Sequence, residues 1–275
     1  MDGRVTVLGA GGFVGSRLCE ELDRRAWAHS APDTRDREAL ERWLASESDL
    51  GVVFYCIGLT ADYTRRPFDT VEAHTSLVSR ILSRGNFRRI VYLSSTRLYD
   101  TLPAGTYAED TPLRFNPTSP REVYDLSKCL GEWLCLNAAG GRGVVARLSC
   151  VYDERAGATG FLPDLLRRLP LERSFTLDSA TGYVRDYVHS GDVVAALLAM
   201  GAKGGGIYNV ASGRNVSNGE IAAALDRLGW AIGLSRETTV QVSPVAEVTR
   251  LVGELGVRPR SLLDALSAYV EEIRS

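Results

Sequence analysis

RVTVLGAGGFVGSRL, residues 4–18, is the stretch that decides the fold of this chain. Val5 to Leu8 are apolar or β-branched without polar alternation, a pattern typical of a short strand that is buried on both faces. Glycines follow at once, and from Phe13 onward apolar residues recur at helical spacing. A strand, a tight glycine turn and a helix N-terminus in this order predict a cradle for phosphate groups.

The glycine spacing indicates which kind of phosphate is bound. Gly9 permits the tight turn, Gly12 lets the backbone approach a pyrophosphate, and Gly15 lets the helix pack close to the strand, with Gly11 as an additional glycine. An ordinary tight turn is the alternative, since a chain with 27 glycines produces chance matches. The position between a predicted strand and a predicted helix favours dinucleotide binding.

Composition and charge exclude several classes of protein. The chain is 45% hydrophobic and 24% charged, as globular proteins are, and its net charge of −2 predicts neither nucleic-acid nor membrane-surface binding. It has no apolar run of about 18 residues that could span a membrane. Its N-terminus also lacks the basic region followed by an apolar segment that is typical of a secretory signal. Its five cysteines form no C-x-x-C pair, so we expect no disulfide framework, no metal site and a cytoplasmic location.

Predicted strands and helices alternate along most of the chain. The predicted strands are residues 26–31, 51–58, 89–95, 143–148 and 206–210, and the predicted helices are residues 38–46, 67–84, 122–139, 191–200, 217–228 and 261–273. This alternation predicts a Rossmann-like, doubly wound α/β fold with a parallel sheet and helices on both faces. We expect an NAD(P)-binding domain at residues 1–150, to which residues 185–213 return. The expected substrate-binding lobe, which is smaller, comprises residues 151–184 and 214–275.

A second group of residues points to proton chemistry. Tyr124 and Lys128 are four residues apart on a predicted helix and therefore share one face. An ammonium group near a phenol favours the phenolate and lowers the tyrosine pKa from about 10. Ser94, Ser95 and Thr96 lie at the carboxyl end of a strand, where ligands bind in open α/β sheets. A solvated helix face is the alternative interpretation of the tyrosine and lysine taken alone.

With these motifs, nearly the whole chain resembles the extended short-chain dehydrogenase/reductases that act on nucleotide sugars. The matching segments are GAGGFVG at residues 9–15, DTRD at 33–36, LSSTRLY at 93–99, YDLSK at 124–128, VRDYVHSGDV at 184–193 and IYNVASG at 207–213. The resemblance implies NAD or NADP as the cofactor and a nucleotide sugar as the substrate. It also implies a homodimer formed through the helices at residues 67–84 and 122–139.

The resemblance further implies residue roles. Tyr124 exchanges a proton with the sugar, Ser95 hydrogen-bonds the reacting oxygen, and Lys128 lowers the tyrosine pKa and holds the nicotinamide ribose. The residues implied to bind the cofactor are Gly9, Gly11, Gly12, Phe13, Val14, Gly15, Asp33, Thr34, Cys56, Gly58, His74, Tyr124 and Lys128. Those implied to bind the substrate are Ser95, Thr96, Arg97, Cys150, Phe161 and Arg185. In the family, the arginine at the position of Arg185 usually contacts the phosphates of the sugar nucleotide.

Some positions depart from the family pattern. Dehydratases of the family carry Asp-Glu where this chain has Thr96 and Arg97, so the acid and base for water elimination are missing. Other members that epimerise and reduce place a cysteine at the position of Arg97, which argues against that chemistry as well. Cys150 replaces an asparagine that typically touches substrate, and both a substrate contact and a small buried thiol fit.

Two further positions leave questions open. His74 stands where many members have asparagine, which predicts a structural or cofactor-loop contact rather than a catalyst. Asp33 serves as either the ribose-binding acid or the adenine contact, and Arg35 is the nearest candidate for a 2′-phosphate. The sequence therefore predicts NAD or NADP without choosing between them.

The sequence favours a 4-ketoreductase that makes a deoxysugar, because the chain is short and its N-terminal half compact. A 4-epimerase that retains its NAD is the alternative. A non-catalytic dinucleotide-binding sensor or scaffold is an alternative from another class, although such proteins commonly lose the tyrosine or the lysine. Here Tyr124 and Lys128 are both present.

Overall fold

A computed structural model describes residues 3–47, 49–155 and 160–274 of the chain. Its strands are β1 (Val5–Leu8), β2 (His29–Ser30), β3 (Val52–Tyr55), β4 (Arg89–Ser95), β5 (Thr106–Tyr107), β6 (Gly143–Leu148), β7 (Cys150–Tyr152), β8 (Ser174–Ala180), β9 (Val184–His189), β10 (Gly206–Val210), β11 (Asn215–Ser217), β12 (Ala231–Arg236) and β13 (Val245–Ala246). Its helices are α1 (Phe13–Arg24), α2 (Arg37–Ser46), α3 (Pro67–Val71), α4 (Leu77–Arg84), α5 (Glu122–Ala138), α6 (Phe161–Arg168), α7 (Ser190–Lys203), α8 (Asn218–Arg227), α9 (Thr249–Leu255) and α10 (Leu262–Glu272).

The main sheet has the topology that the sequence predicts. In the described part of the chain, six parallel strands form it in the order β10-β6-β4-β3-β1-β2. The chain leaves β1 toward β2 on one side and returns to β3 on the other, which creates a crevice at the carboxyl ends of the strands. This confirms the Rossmann-like, doubly wound α/β fold.

Apolar side chains cover both faces of the main sheet, which is why its strands read as unbroken apolar runs. Alternate residues of a strand point to opposite faces. Val52 and Phe54 therefore join one core, together with residues of α1, α7 and α9. Val53 and Tyr55 join the other core, together with residues of α2, α4 and α5. All four of these β3 side chains are fully buried.

Smaller sheets carry the later segments. β9 pairs with β7 and β11, β8 pairs with β12, and β5 pairs with β13. A third apolar cluster joins β8 and β12 to α6, α8 and α10. Neither β8 nor β12 is predicted from the sequence, because their residues alternate between more buried and more exposed positions and so form no continuous apolar run. The capping box at Ser217 and Glu220, where α8 begins, is formed in full.

The division into two lobes stays a prediction. Leu251 and Leu255 of α9 lie in the span expected to form the substrate lobe, yet they are buried in a core of the main sheet. β9 lies in the span expected to return to the nucleotide domain, but it belongs to the separate sheet with β7 and β11.

The helix predicted at residues 67–84 is interrupted. Glu72–Ser76 adopts a π-helical turn between α3 and α4, and His74 is fully buried within it. π-Helical turns of this kind often occur at functional sites. Across residues 3–47, 49–155 and 160–274, no helix combines the length and the apolar character needed to cross a membrane.

Candidate active site

A cleft of about 650 Å³ opens at the carboxyl ends of the parallel strands. It is the position at which open α/β sheets bind their ligands. The predicted site residues that line it are Gly12, Phe13, Val14, Cys56, Gly58, Ser95, Thr96, Arg97, Tyr124, Lys128, Cys150 and Arg185. The fold thus brings together residues that are more than 170 positions apart in the sequence.

The glycine turn between β1 and α1 fits a pyrophosphate. Gly9 has a φ of +87°, and a Cβ there would lie 2.9 Å from the carbonyl carbon of Cys56. A Cβ at Gly15 would collide with the carbonyl oxygen of Gly9. Gly12 caps the N-terminus of α1 without a side-chain hydrogen bond, so the first N–H groups of the helix are available to an anion. A dinucleotide phosphate therefore fits this end of the cleft.

Lys128 is buried next to the β3 end of the cleft. Its Nζ donates a 2.7 Å hydrogen bond to the carbonyl oxygen of Leu93 and lies 5.0 Å from the centroid of the Tyr92 ring. Burial lowers its pKa to about 7. A Cβ at Gly58 would lie 3.3 Å from this Nζ, so a glycine there permits the close approach of the loop after β3 to the ammonium group. The position suits a donor to the hydroxyls of a bound ribose.

Tyr124 lies beside Ser95 and Arg97 in the same cleft. Burial raises the pKa of the Tyr124 phenol, while a hydrogen bond with Ser95 and the charge of Arg97 lower it. The guanidinium carbon of Arg97 is 4.7 Å from the centroid of the Tyr124 ring. The cation that acts on the phenol here is thus Arg97, and the effect of Lys128 on the tyrosine pKa stays a prediction.

A buried ion pair fixes α5, which carries Tyr124 and Lys128, to the sheet. Arg147 of β6 donates to Glu132 of α5, with the Nη2 to Oε2 distance at 2.7 Å, and both side chains are 4% exposed. Breaking such a pair by removing one partner leaves an uncompensated buried charge. The helix that carries Tyr124 and Lys128 is therefore fixed to β6 of the main sheet.

His74 connects the loop after β3 to α5, a role that its isolated position in the sequence only partly indicated. Its Nε2 accepts a 3.1 Å hydrogen bond from the backbone N–H of Leu59, and its Nδ1 lies 2.9 Å from Ser127 Oγ. Ser127 in turn donates to the Tyr124 carbonyl oxygen at 3.0 Å. Burial lowers the His74 pKa to about 2, so the ring is neutral and positions its neighbours.

Other predicted residues lie away from the cleft wall. Gly9, Gly11 and Gly15 lie in the turn itself rather than on the lining, and His74 lies behind Gly58. Asp33 and Thr34 follow β2, where the exposed Asp33 carboxylate accepts a 2.8 Å hydrogen bond from Arg35. Neither Asp33 nor Thr34 lines the cleft.

Phe161 also does not line the cleft. It begins α6, and its ring packs against the third apolar cluster. The family resemblance implied a substrate-binding role for this residue. Burial of its apolar surface in that core accounts for its position.

The structure adds lining residues that the motifs did not single out. These are Asp100, Arg121, Ser149, Asp186, Asn215, Ser243 and Pro244, among others. Asn215 donates to the backbone oxygens of Ser243 and Pro244, which ties β11 to the segment before β13. No local pattern marks these contacts, since they join segments nearly thirty residues apart.

Comparison with known proteins identifies the family. A family model described as the NAD dependent epimerase/dehydratase family matches residues 5–211. This chain belongs to that family. It is accordingly an NAD(P)-dependent enzyme of the extended short-chain dehydrogenase/reductase group, whose members are epimerases and dehydratases of nucleotide sugars.

Individual relatives are distant. The spore coat polysaccharide biosynthesis protein SpsK of Bacillus subtilis is 23% identical over 98% of this chain and 97% of its own length. A dTDP-glucose 4,6-dehydratase of Streptomyces griseus is 29% identical over 68% of this chain, and the match spans 59% of that relative. The solved UDP-glucose 4-epimerase of Thermotoga maritima superposes with a TM-score of 0.77 at 21% identity, covering 99% of both chains, which shows the shared fold.

Proposed function

We propose that this protein is a nucleotide-sugar 4-ketoreductase that uses NADH or NADPH and contributes a deoxysugar to carbohydrate biosynthesis. The observation that carries the proposal is the convergence of Ser95, Tyr124 and Lys128 on one cleft with the glycine turn of β1 and α1. The similarity to a polysaccharide biosynthesis protein over nearly the whole of both chains supports it.

Each of these residues has a defined task in the proposed reduction. Ser95 hydrogen-bonds the carbonyl oxygen at C4 of the sugar, and the Tyr124 hydroxyl gives that oxygen its proton. Lys128 donates to the ribose hydroxyls of the cofactor, and Arg185 binds the phosphates of the nucleotide sugar. When bound, the cofactor supplies the hydride that the sugar carbon receives.

The arrangement of carboxylates disfavours dehydration. Thr96 and Arg97 occupy the positions at which the dehydratases carry their acid and base. Among the described residues that line the cleft, the carboxylates are Asp100 and Asp186. Asp100 is ion-paired to Arg121 at 2.9 Å, and Asp186 accepts backbone hydrogen bonds from Ser212, Gly213 and Arg214. Both carboxylates are therefore engaged by other groups of the protein.

A 4-epimerase that retains its NAD is the second candidate. Epimerisation at C4 through a transient ketone uses the same serine, tyrosine and lysine and requires no further acid or base. Among the described residues that line the cleft there is such a set without an additional proton-transfer pair, which favours both candidates over a dehydratase. The two differ in whether the cofactor exchanges with solution.

Deuterium transfer distinguishes these candidates. The purified protein is incubated with a nucleotide-linked 4-keto sugar and NADH or NADPH that carries deuterium at nicotinamide C4, and the product is examined by mass spectrometry. A ketoreductase incorporates one deuterium at sugar C4. An epimerase converts a 4-hydroxy sugar to its C4 epimer without added cofactor and without label. Absence of both reactions with UDP- and dTDP-linked sugars would overturn the proposed function.

We also infer a homodimer and a cytoplasmic location. Apolar side chains are exposed on α3 and α5, including Phe68 at 88% and Trp133 at 57%. Leu126, Leu130 and Trp133 follow one another at helical spacing on one face of α5, and contiguous exposed apolar surface marks an interaction site. The five cysteines form no disulfide, which suits a reducing compartment.

A further inference from the structure

The hydroxyl of Ser94 is a buried polar group that the proposed chemistry does not use. Ser94 is 5% exposed and lies on the wall of the cleft, next to Ser95. Within residues 3–47, 49–155 and 160–274, its Oγ has no hydrogen-bond partner. Most buried polar side-chain atoms have such a partner, and leaving one unpaired costs free energy. An unpaired hydroxyl on the wall of a binding cleft indicates that a ligand supplies the partner.

The polar side chains on the same face of β4 and β6 are committed to other groups. Alternate residues of a strand share a face, so Ser94 lies on the face of Tyr92, which packs against α5. The Tyr92 hydroxyl donates to the His74 carbonyl oxygen at 2.9 Å. Arg147, the neighbour of Ser94 in β6, donates to Glu132 through Nε and Nη2. The fold supplies these groups with partners and leaves the Ser94 hydroxyl without one.

Lys128 indicates which ligand comes close to Ser94. Its Nζ donates to the carbonyl oxygen of Leu93, the residue directly before Ser94, and lies 5.0 Å from the centroid of the Tyr92 ring. The lysine and the serine therefore meet the cleft at the same step of β4. Lys128 suits the ribose hydroxyls of the cofactor, whereas Arg185, the candidate for the phosphates of the nucleotide sugar, lies on β9 in a separate sheet. Ser94 thus lies with the group for the dinucleotide.

We propose that Ser94 binds the cofactor through a hydrogen bond between its Oγ and a polar group of the nicotinamide riboside. A serine hydroxyl both donates and accepts, so a ribose hydroxyl and the carboxamide both suit it. The inference rests on the dinucleotide binding of the proposed function and applies to the ketoreductase and the 4-epimerase alike.

The test compares the wild type and Ser94→Ala in binding two ligands, measured by calorimetry. One is NADH or NADPH, whichever the wild type binds more tightly, and the other is its adenosine part alone, ADP or 2′-phospho-ADP. We expect the variant to bind the dinucleotide about fivefold more weakly, the effect of one lost hydrogen bond, and to bind the adenosine part equally well. ADP-ribose, or its 2′-phosphate, identifies the partner: an equal loss assigns a ribose hydroxyl, and no loss assigns the carboxamide.

Thermal unfolding without ligand separates this binding role from a structural one. Ser127 is the matched control, because it is also buried, at 6% exposure, but its Oγ donates to the Tyr124 carbonyl oxygen at 3.0 Å. Ser127→Ala should lower the Tm of the ligand-free protein, whereas Ser94→Ala should leave it unchanged or raise it, since no hydrogen bond within the protein is lost. A fall in Ser94→Ala as large as that in Ser127→Ala would overturn the inference.

The binding results also distinguish failure of this inference from failure of the proposed function. Equal dinucleotide affinity in the wild type and Ser94→Ala overturns the inference alone, as does a loss of affinity for UDP-glucose in place of the dinucleotide. A wild type that binds neither NADH nor NADPH overturns both. If NAD stays bound through purification, its rate of release is measured instead, and Ser94→Ala should release it about fivefold faster.

Discussion

Tyr124 is the single residue on which the proposed chemistry depends most. Its phenol is nearly fully buried and lies within hydrogen-bonding reach of Ser95. Removing the hydroxyl in Tyr124→Phe should lower kcat by about 10²–10⁴-fold, the usual contribution of a positioned proton donor. Cofactor affinity, measured by fluorescence titration with NADH and NADPH, should stay within a few-fold of the wild type. A variant that keeps full turnover would contradict the assignment.

The buried charge of Lys128 should lower the free energy of unfolding of the ligand-free protein. Burial lowers its pKa to about 7, whereas an unfolded lysine titrates near pH 10.4. Between these pH values the unfolded chain holds a proton that the folded protein has released, so stability rises with pH. Lys128→Met should therefore stabilise the ligand-free protein by about 2 kcal/mol at pH 6. This gain should shrink toward pH 10, as the wild type becomes neutral at this position.

Urea denaturation of both proteins across this pH range measures the difference. The lost hydrogen bond to the Leu93 carbonyl oxygen limits the gain, since an unpaired carbonyl costs free energy. Turnover should be lost in the same variant. A Lys128→Met protein that is less stable than the wild type at pH 6 would show that the lysine is not a buried cation.

Arg97 should set the pH range in which Tyr124 accepts a proton. Burial raises the pKa of Tyr124, and a hydrogen bond with Ser95 and the charge of Arg97 oppose that rise. In the direction of alcohol oxidation the phenolate is needed, so Arg97→Gln should move the acidic limb of kcat/KM to higher pH. Arg97→Lys retains a cation and should shift the limb less. An unchanged profile in both variants would rule out this electrostatic role.

The turn between β1 and α1 is the element proposed to bind the cofactor. Two of its glycines differ in how closely other atoms pack around them. A Cβ at Gly15 meets backbone of the turn, whereas a Cβ at Gly11 meets nothing within 4 Å. Gly15→Ala should therefore lower the free energy of unfolding by about 1–3 kcal/mol, the range of overpacking costs. Gly11→Ala should leave stability unchanged and is the matched control. Thermal unfolding without ligand measures both, and equal stabilities would contradict the close packing.

Among the elements, those with a local signal could be predicted and those made by distant contacts could not. β4 and β6 are buried on both faces and therefore appear as apolar runs with the bounds observed. The π-helical turn at Glu72–Ser76 has no such signal. His74 within it accepts a bond from Leu59 N–H, and its carbonyl accepts the Tyr92 hydroxyl, both from other elements.

At the scale of the whole molecule, the exposed apolar faces of α3 and α5 predict dimerisation. Trp133→Glu places a charge on that face and should weaken self-association at least about tenfold, since a buried unpaired charge is costly. Light scattering after size-exclusion chromatography measures the mass. Leu171 is 79% exposed and lies outside these two helices, so Leu171→Glu is the control and should leave the mass unchanged. A wild type that is monomeric at high concentration would refute the dimer.

The whole-molecule arrangement also limited what the sequence could reveal of the site. Ser95, Tyr124 and Lys128 could be placed together because each follows a motif at a known end of a strand or face of a helix. The packing of Phe161 and the contact of Arg97 with Tyr63 could not be predicted in this way. Their environments depend on the third apolar cluster and on Tyr63, which only the folded chain brings into contact.

The most direct test of the central claim is to identify by mass spectrometry what the purified protein releases on denaturation, together with titration by NADH and NADPH. The proposed ketoreductase should be free of tightly held dinucleotide and should bind at least one of the two reversibly. Stoichiometric NAD that survives dialysis would favour the 4-epimerase on the same cleft. A protein that releases no dinucleotide and binds neither NADH nor NADPH would contradict the account of the glycine turn and the chemistry built on it.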